Sequence, residues 1–316
     1  MKKIINLLFI FLIIIISYEI LYMRNYLINS VNTSFSIWKN NIFPSSFPFL
    51  IISNIIITYG ISDIISWLFK PLGKIFKIDS KCLNIFILSI LSGFPSAAIY
   101  ARKYYDEKEI DSYCATKVLT FSHFSNPLFI LNNLSIILGK KEAILVLIIH
   151  YFTNILIGII FSYYHPSYNY NCSNIKNIFN NSFNKINKYK IGNVLSSSIK
   201  NTISSLLTIL GSITLFLCLS TIVINVLNLD EFYTLMISGL FEITQGFYYL
   251  NIINISIKLK SIIAIIFLSF GGISIHMQMI SFISDTNIKY YPYLIARIIH
   301  SIISGILVYF LYDFFI

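Results

Sequence analysis

Long apolar runs alternate with short polar segments along the whole chain. Ile4–Met23, Phe47–Phe69, Ala143–Tyr164, Ser204–Leu229 and Tyr293–Phe315 are each almost wholly apolar. A helix needs about 20 such residues to cross a bilayer, so each run predicts a transmembrane α-helix. The runs are continuously apolar rather than alternating, which excludes barrel strands. Composition agrees: 56% of the 316 residues are hydrophobic, 11% are charged, and the mean hydropathy is +0.76. No soluble domain has enough interior for that, and the fold class expected is an all-α polytopic membrane protein. The first run follows Lys2 and Lys3 like a secretory signal, but it is too long and no A-x-A-like site follows near Tyr18–Asn25. A retained helix over residues 1–25 is expected.

Several apolar segments are interrupted in their middle. Residues 31–165 form a first transmembrane unit, 166–193 a polar linker rich in Asn, Ser and Lys, and 194–316 a second unit. Each unit runs in one order: a long apolar segment, two interrupted segments, and a last apolar segment. The interruptions are Gly93-Phe94-Pro95-Ser96 and Ser125-Asn126-Pro127 in the first unit. In the second they are Glu242-Ile243-Thr244-Gln245-Gly246 and Gly271-Gly272-Ile273-Ser274. Corresponding breaks are nearly equally spaced, which predicts an internal repeat.

The net charge of +10 lies between apolar segments, so it speaks for topology and contact with anionic headgroups, not for nucleic acid. With the amino terminus inside, Phe47–Phe69 returns to Lys70, Lys74, Lys77 and Lys81 on the inner side. Arg102, Lys103, Lys108 and Lys117 stay inside only if residues 83–101 fold back as a re-entrant hairpin with Gly93–Ser96 at the tip. Gly93 permits the turn and Pro95 cannot continue the helical hydrogen bonding. Each unit then crosses three times and the two are inverted, although a matching second hairpin leaves Lys258 and Lys260 outside.

Irregular backbone at membrane depth persists only where protein or a water-filled cavity surrounds it. Four matched breaks therefore predict a central cavity. Glu242 lies in GLFEITQGFYYL, where a carboxylate is expensive, so it should face that cavity as a proton or cation coupling group or a support for unwound backbone. His123 and His276 stand beside the two later breaks. Arg297 and His300 share a helix face; Arg297 either holds a carboxylate or snorkels to the interface, snorkelling being the favoured reading. Asp106, Glu107, Glu109 and Asp111 read as a solvated inner turn. Cys82, Cys114, Cys172 and Cys218 are scattered and suggest neither disulfide nor metal. No cofactor is expected, and the absence of hydrolytic motifs speaks against an enzyme.

The segments SGFPSAAIYARKYYDEKEID, TFSHFSNPLFIL, GLFEITQGF and LSFGGISIHMQMIS, followed by ARIIHSIIS, resemble the YlbJ-type sporulation integral membrane proteins, also called stage V sporulation protein V, of endospore-forming bacteria. The resemblance covers most of residues 80–305. It implies a nucleoside-recognition or Gate-type domain, similar to concentrative nucleoside transporters with two hairpins each followed by an unwound helix. It also implies transport of dipicolinic acid from the mother cell across the outer forespore membrane. On this reading Gly93, Phe94, Pro95, Ser96, Ser125, Asn126, Pro127, Thr244, Gln245, Gly246, Gly271, Gly272, Ser274 and His276 bind substrate. Glu242 couples an ion, and His123 and Arg297 contact the anion. The lysine expected after GFPS is absent from Ala97-Ala98-Ile99. The partners implied are a small anionic solute and membrane lipid, with homo-oligomers allowed. A nucleoside-like heterocycle carrier and a non-transporting sporulation scaffold are the alternatives.

Overall fold

The computed structural model describes residues 2–164 and 174–316, with side chains from Ile10 onward except Leu12. Cys172 and positions 166–173 of the expected linker lie outside the described residues. Among the described residues all regular structure is helical, and five helices are long and apolar enough to cross a membrane.

Helix α1 (Lys2–Tyr22) is followed by α2 (Arg24–Ile37), a π-helical turn at Trp38–Ile42, and α3 (Phe43–Thr58). The last three form one crossing segment, Arg24–Thr58. The expected span Phe47–Phe69 is therefore displaced toward the amino terminus. Its apolar run does not stay helical because Gly60 takes φ +73°, ending α3 and starting the short α4 (Ile61–Leu68) and α5 (Lys70–Phe76).

Helices α6 (Ser80–Ser92) and α7 (Ser96–Asp106) fold into an antiparallel hairpin. Pairing fixes it at both ends: Ser92 shares a 2.7 Å hydrogen bond with Tyr100 near the tip, and Lys81 pairs with Glu109 at 2.8 Å at the base. Lys81 also pairs with Asp63 of α4 at 2.9 Å. A broken helix follows, with α8 (Ser112–Leu119) and α9 (Pro127–Ile137) separated by an unwound segment, and then the uninterrupted α10 (Lys140–Phe161). Asp79 and Asp111 start α6 and α8 in the same way, their carboxylates accepting from the backbone N–H of Cys82 and Cys114 at 2.7 Å. The acidic turn is thus partly structural, with Asp111 capping and Glu109 ion-paired.

Helix α11 (Ile175–Lys188) occupies part of the expected linker and leads into the 37-residue α12 (Ile191–Leu227). The order of elements then recurs: hairpin α13 (Glu231–Phe241) and α14 (Ile243–Ile252), broken helix α15 (Ile257–Phe270) and α16 (Gly272–Ile283), crossing helix α17 (Tyr291–Phe315). Two pairs of helices, α2 with α12 and α10 with α17, run antiparallel. Ser30 bonds Thr221 and Trp38 bonds the Leu206 carbonyl, which opposes α2 to α12; Asn154 bonds Arg297 and His150 stacks on His300, which opposes α10 to α17.

The apolar core divides into two clusters. One joins α6, α7 and α8 to α12, and the other joins α9 and α10 to α13–α17. On α10, Ile148, Phe152 and Ile159 are exposed while His150, Thr153 and Asn154 are buried, the inverse of a soluble helix.

Candidate functional site

The two hairpin tips and the two helix breaks are where this sequence cannot keep helical hydrogen bonding. At the first tip Gly93 has φ +73°, and a Cβ there would stand 2.7 Å from the backbone nitrogen of Asn126. The tip therefore lies directly against the first helix break. Asn126 closes the contact, donating to the Leu91 carbonyl at 2.8 Å while its side-chain oxygen caps α9 by accepting from Leu128 N–H at 2.8 Å. Pro127, the first residue of α9, needs no partner for its nitrogen.

The second tip is the single residue Glu242, extended between α13 and α14. Its carboxylate caps α14, accepting from Thr244 N–H at 3.2 Å and from the Thr244 hydroxyl at 2.9 Å. Thr244, Gln245 and Gly246 are helical, so the interruption is shorter than the polar sequence suggests. Gln245 accepts from Ser220 on α12. A Cβ at Gly246 would lie 2.4 Å from the Cα of Gly239, so glycine there lets the two arms of the hairpin touch. The second break, at Gly271 and Gly272, separates α15 from α16.

Both hairpin tips and the first break meet around a cavity of about 50 Å³. Gly93 and Phe94 line it from the first tip, Ser125 and Asn126 from the first break, Glu242 and Thr244 from the second tip. Ser45 and Ser46 of α3, Ile209 and Ile213 of α12, and Gln278 of α16 also line it, and sequence reasoning missed all five. The serines of FPSSF are a polar pair in an apolar run, the signal by which they were visible. The lining carries one ionisable side chain, Glu242, and no basic one. The Ser125 hydroxyl is buried without a hydrogen-bond partner.

The remaining predicted residues sit around the cavity. Pro95 turns away from it, and Ser96 opens α7. Ser274 is held by Gln278 at 3.2 Å. His276 is committed to backbone and scaffold, its Nε2–H donating to the Phe270 carbonyl at 3.0 Å and its Nδ1 accepting from Tyr290 at 2.8 Å. His123 stacks on Phe94 with ring centroids 4.8 Å apart and bonds Tyr293 at 2.8 Å.

Arg297 does not snorkel: it is wholly buried, 0% exposed. It donates to the Thr120 carbonyl, to Asn154 Oδ1 at 3.4 Å and to His300 Nδ1 at 2.7 Å. The Thr120 carbonyl ends α8, so the negative end of that helix faces the guanidinium where no carboxylate does. His300 then donates from Nε2 to the His150 carbonyl at 3.2 Å. His150 accepts from Ser125 N–H at 3.2 Å, Asn154 donates to the His123 carbonyl at 2.7 Å, and Tyr151 donates to the Ser125 carbonyl at 2.9 Å. The contacts to the Thr120, His123 and Ser125 backbone satisfy groups left open by the break. His150 and Asn154, four apart on α10, were not singled out from the sequence, though their i, i+4 spacing on an apolar helix marks one polar face.

Cys82 and Cys114 are joined as a disulfide, against the expectation of scattered, unpaired thiols. Their sulfurs and Asp79 form a group close enough to share a ligand, at the base of the first hairpin. The pairing was legible only as the recurrence of D-S-x-C at 79–82 and 111–114.

Among known proteins, no family model matches the chain and no solved structure matches it. The chain is similar to the sporulation integral membrane protein YlbJ of Bacillus subtilis (strain 168). The two are 24% identical over 307 residues, which span 87% of this chain and 75% of the relative. That likeness and the apolar helices support a multi-pass integral membrane protein.

Proposed function

We propose that the chain is a secondary transporter of sporulation, carrying dipicolinic acid from the mother cell across the outer forespore membrane. The observation that carries the reading is the convergence of both hairpin tips and the first break on one cavity, with α9 and α14 beginning at its wall. A helix N-terminus presents partial positive charge and unpaired N–H groups, which suit a carboxylate. The antiparallel relation of α2 to α12 and of α10 to α17 supports an inverted repeat, whose halves rock about a midplane site in alternating access. We assign the cavity a transport role and no catalytic one.

The charge of the lining qualifies the substrate. A dianion beside Glu242, with no basic side chain in contact, requires that Glu242 carry a proton or that a cation accompany the solute. The same lining favours, as a second reading, an uncharged nucleoside-like heterocycle held by Ser45, Asn126, Thr244 and Gln278. Uptake of labelled dipicolinate into proteoliposomes decides between them. Saturable uptake that is lost in Glu242→Gln and Asn126→Ala proteins of normal fold supports dipicolinate. Uptake of a nucleoside but not dipicolinate selects the second reading, and uptake of neither under proton or sodium gradients leaves a membrane scaffold.

A further inference from the structure

Two further spaces adjoin the central cavity on opposite sides. One, of about 370 Å³, is bounded by Asn40 and Asn41 beside the π turn and by Asn132 and Asn133 on α9, with Asn41 donating to Asn133 at 3.4 Å. It shares Ser45 and Phe129 with the central cavity. The other, pinched to about 10 Å³, lies between α7, α8, α16 and α17 and shares only Phe94 with the central cavity. Ser122 lines it, its hydroxyl buried and without a partner.

The third space also has a floor. One turn beyond its wall residues Ala98 and Met279 stand Arg102 and Phe282. Arg102 donates to the Phe282 carbonyl at 3.4 Å and grips Asp285 through both terminal nitrogens, while its Nε pairs with Asp106 at 2.6 Å. This ties the first hairpin to the loop after α16 at the end of the bundle where Lys81 sits.

We propose that the three spaces are consecutive stations of one solute route. The asparagine-lined space is the entry subsite for a small polar solute, since four amides both donate and accept hydrogen bonds. Phe94 is the inner gate between the second and third stations, and Arg102–Asp285 is the latch beneath it. The form described is open toward the asparagines and closed toward the base. The inference rests on the transporter reading, but its test needs no solute.

The full-length chain carrying Cys172→Ser and Cys218→Ser, with Cys82 and Cys114 retained, is placed in sealed vesicles. A membrane-impermeant thiol reagent is then applied to either face. Asn132→Cys reacts from one face alone. Ser122→Cys reacts slowly in the parent; it reacts about tenfold faster from the Asn132 face once Phe94→Ala is added, and about tenfold faster from the opposite face once Arg102→Gln is added. Unchanged labelling of Asn132→Cys in those two variants shows that they fold. Failure of Asn132→Cys to react from either face, or a Ser122→Cys rate indifferent to both gate variants, overturns the route. Labelling as expected in a protein that carries no dipicolinate keeps the route and removes the substrate.

Discussion

Arg297 on α17 donates to the carbonyl of Thr120, 177 positions earlier in the chain, where α8 ends. A residue that sequence reasoning assigned to the interface or to substrate instead holds open the break that helps build the cavity. Buried charge and unwound backbone each answer the other's lack of a partner.

Arg297→Ala leaves the Thr120 carbonyl, Asn154 and His300 without that donor. A loss of about 2–4 kcal/mol is expected, read as early thermal unfolding of the detergent-purified protein. Arg297→Lys recovers less than half, because one ammonium cannot reach three acceptors lying in different directions. An alanine variant as stable as the parent removes the structural role.

Gly93→Ala puts a Cβ against Asn126 in a left-handed backbone conformation and costs about 1–3 kcal/mol, with loss of uptake. Gly211, in the middle of α12, is the control. Nothing lies within 4 Å of a Cβ there, and alanine in a helix stabilises by about 0.5–1 kcal/mol. Equal behaviour of the two variants contradicts the packing of tip on break.

Alkylation of the denatured, unreduced protein modifies two thiols fewer than alkylation after reduction, and Cys82→Ser abolishes the difference. Stoichiometric metal bound to the reduced protein, with no such difference, identifies the Asp79, Cys82 and Cys114 group as a metal site instead.

Asp285 is held below its ordinary pKa of 3.8 by its hydrogen bond to Arg102. Because the native value is depressed, the latch's contribution is present above the ordinary value and is lost only as pH falls through the lowered one. Labelling of Ser122→Cys, divided at each pH by that of Asn132→Cys to remove the thiol's own ionisation, is therefore flat between about pH 6 and 8. A rise in that ratio across the interval assigns gating to another group.

Local pattern made much of this legible. Gly93, Asn126, Glu242 and Gly271 mark the actual tips and breaks, because a helix interrupted in an apolar run shows itself within a few residues. The Phe47–Phe69 span was misplaced because apolarity alone does not register a left-handed glycine at position 60. His150 and the Cys82–Cys114 pair escaped because their meaning lies in partners on other helices.

The apolar runs by themselves determined an all-helical membrane chain, and glycine, proline, asparagine and an isolated carboxylate determined where its helices stop. Only the tertiary structure decided that Arg297 and His150 serve the backbone, that Ser45 and Gln278 join the cavity, and that Phe94 stands between two spaces. The physical reason is one of range: hydrogen bonding along a helix fails locally and can be read locally. A buried polar group, by contrast, must find a partner wherever packing brings one, here from helices far apart in the chain.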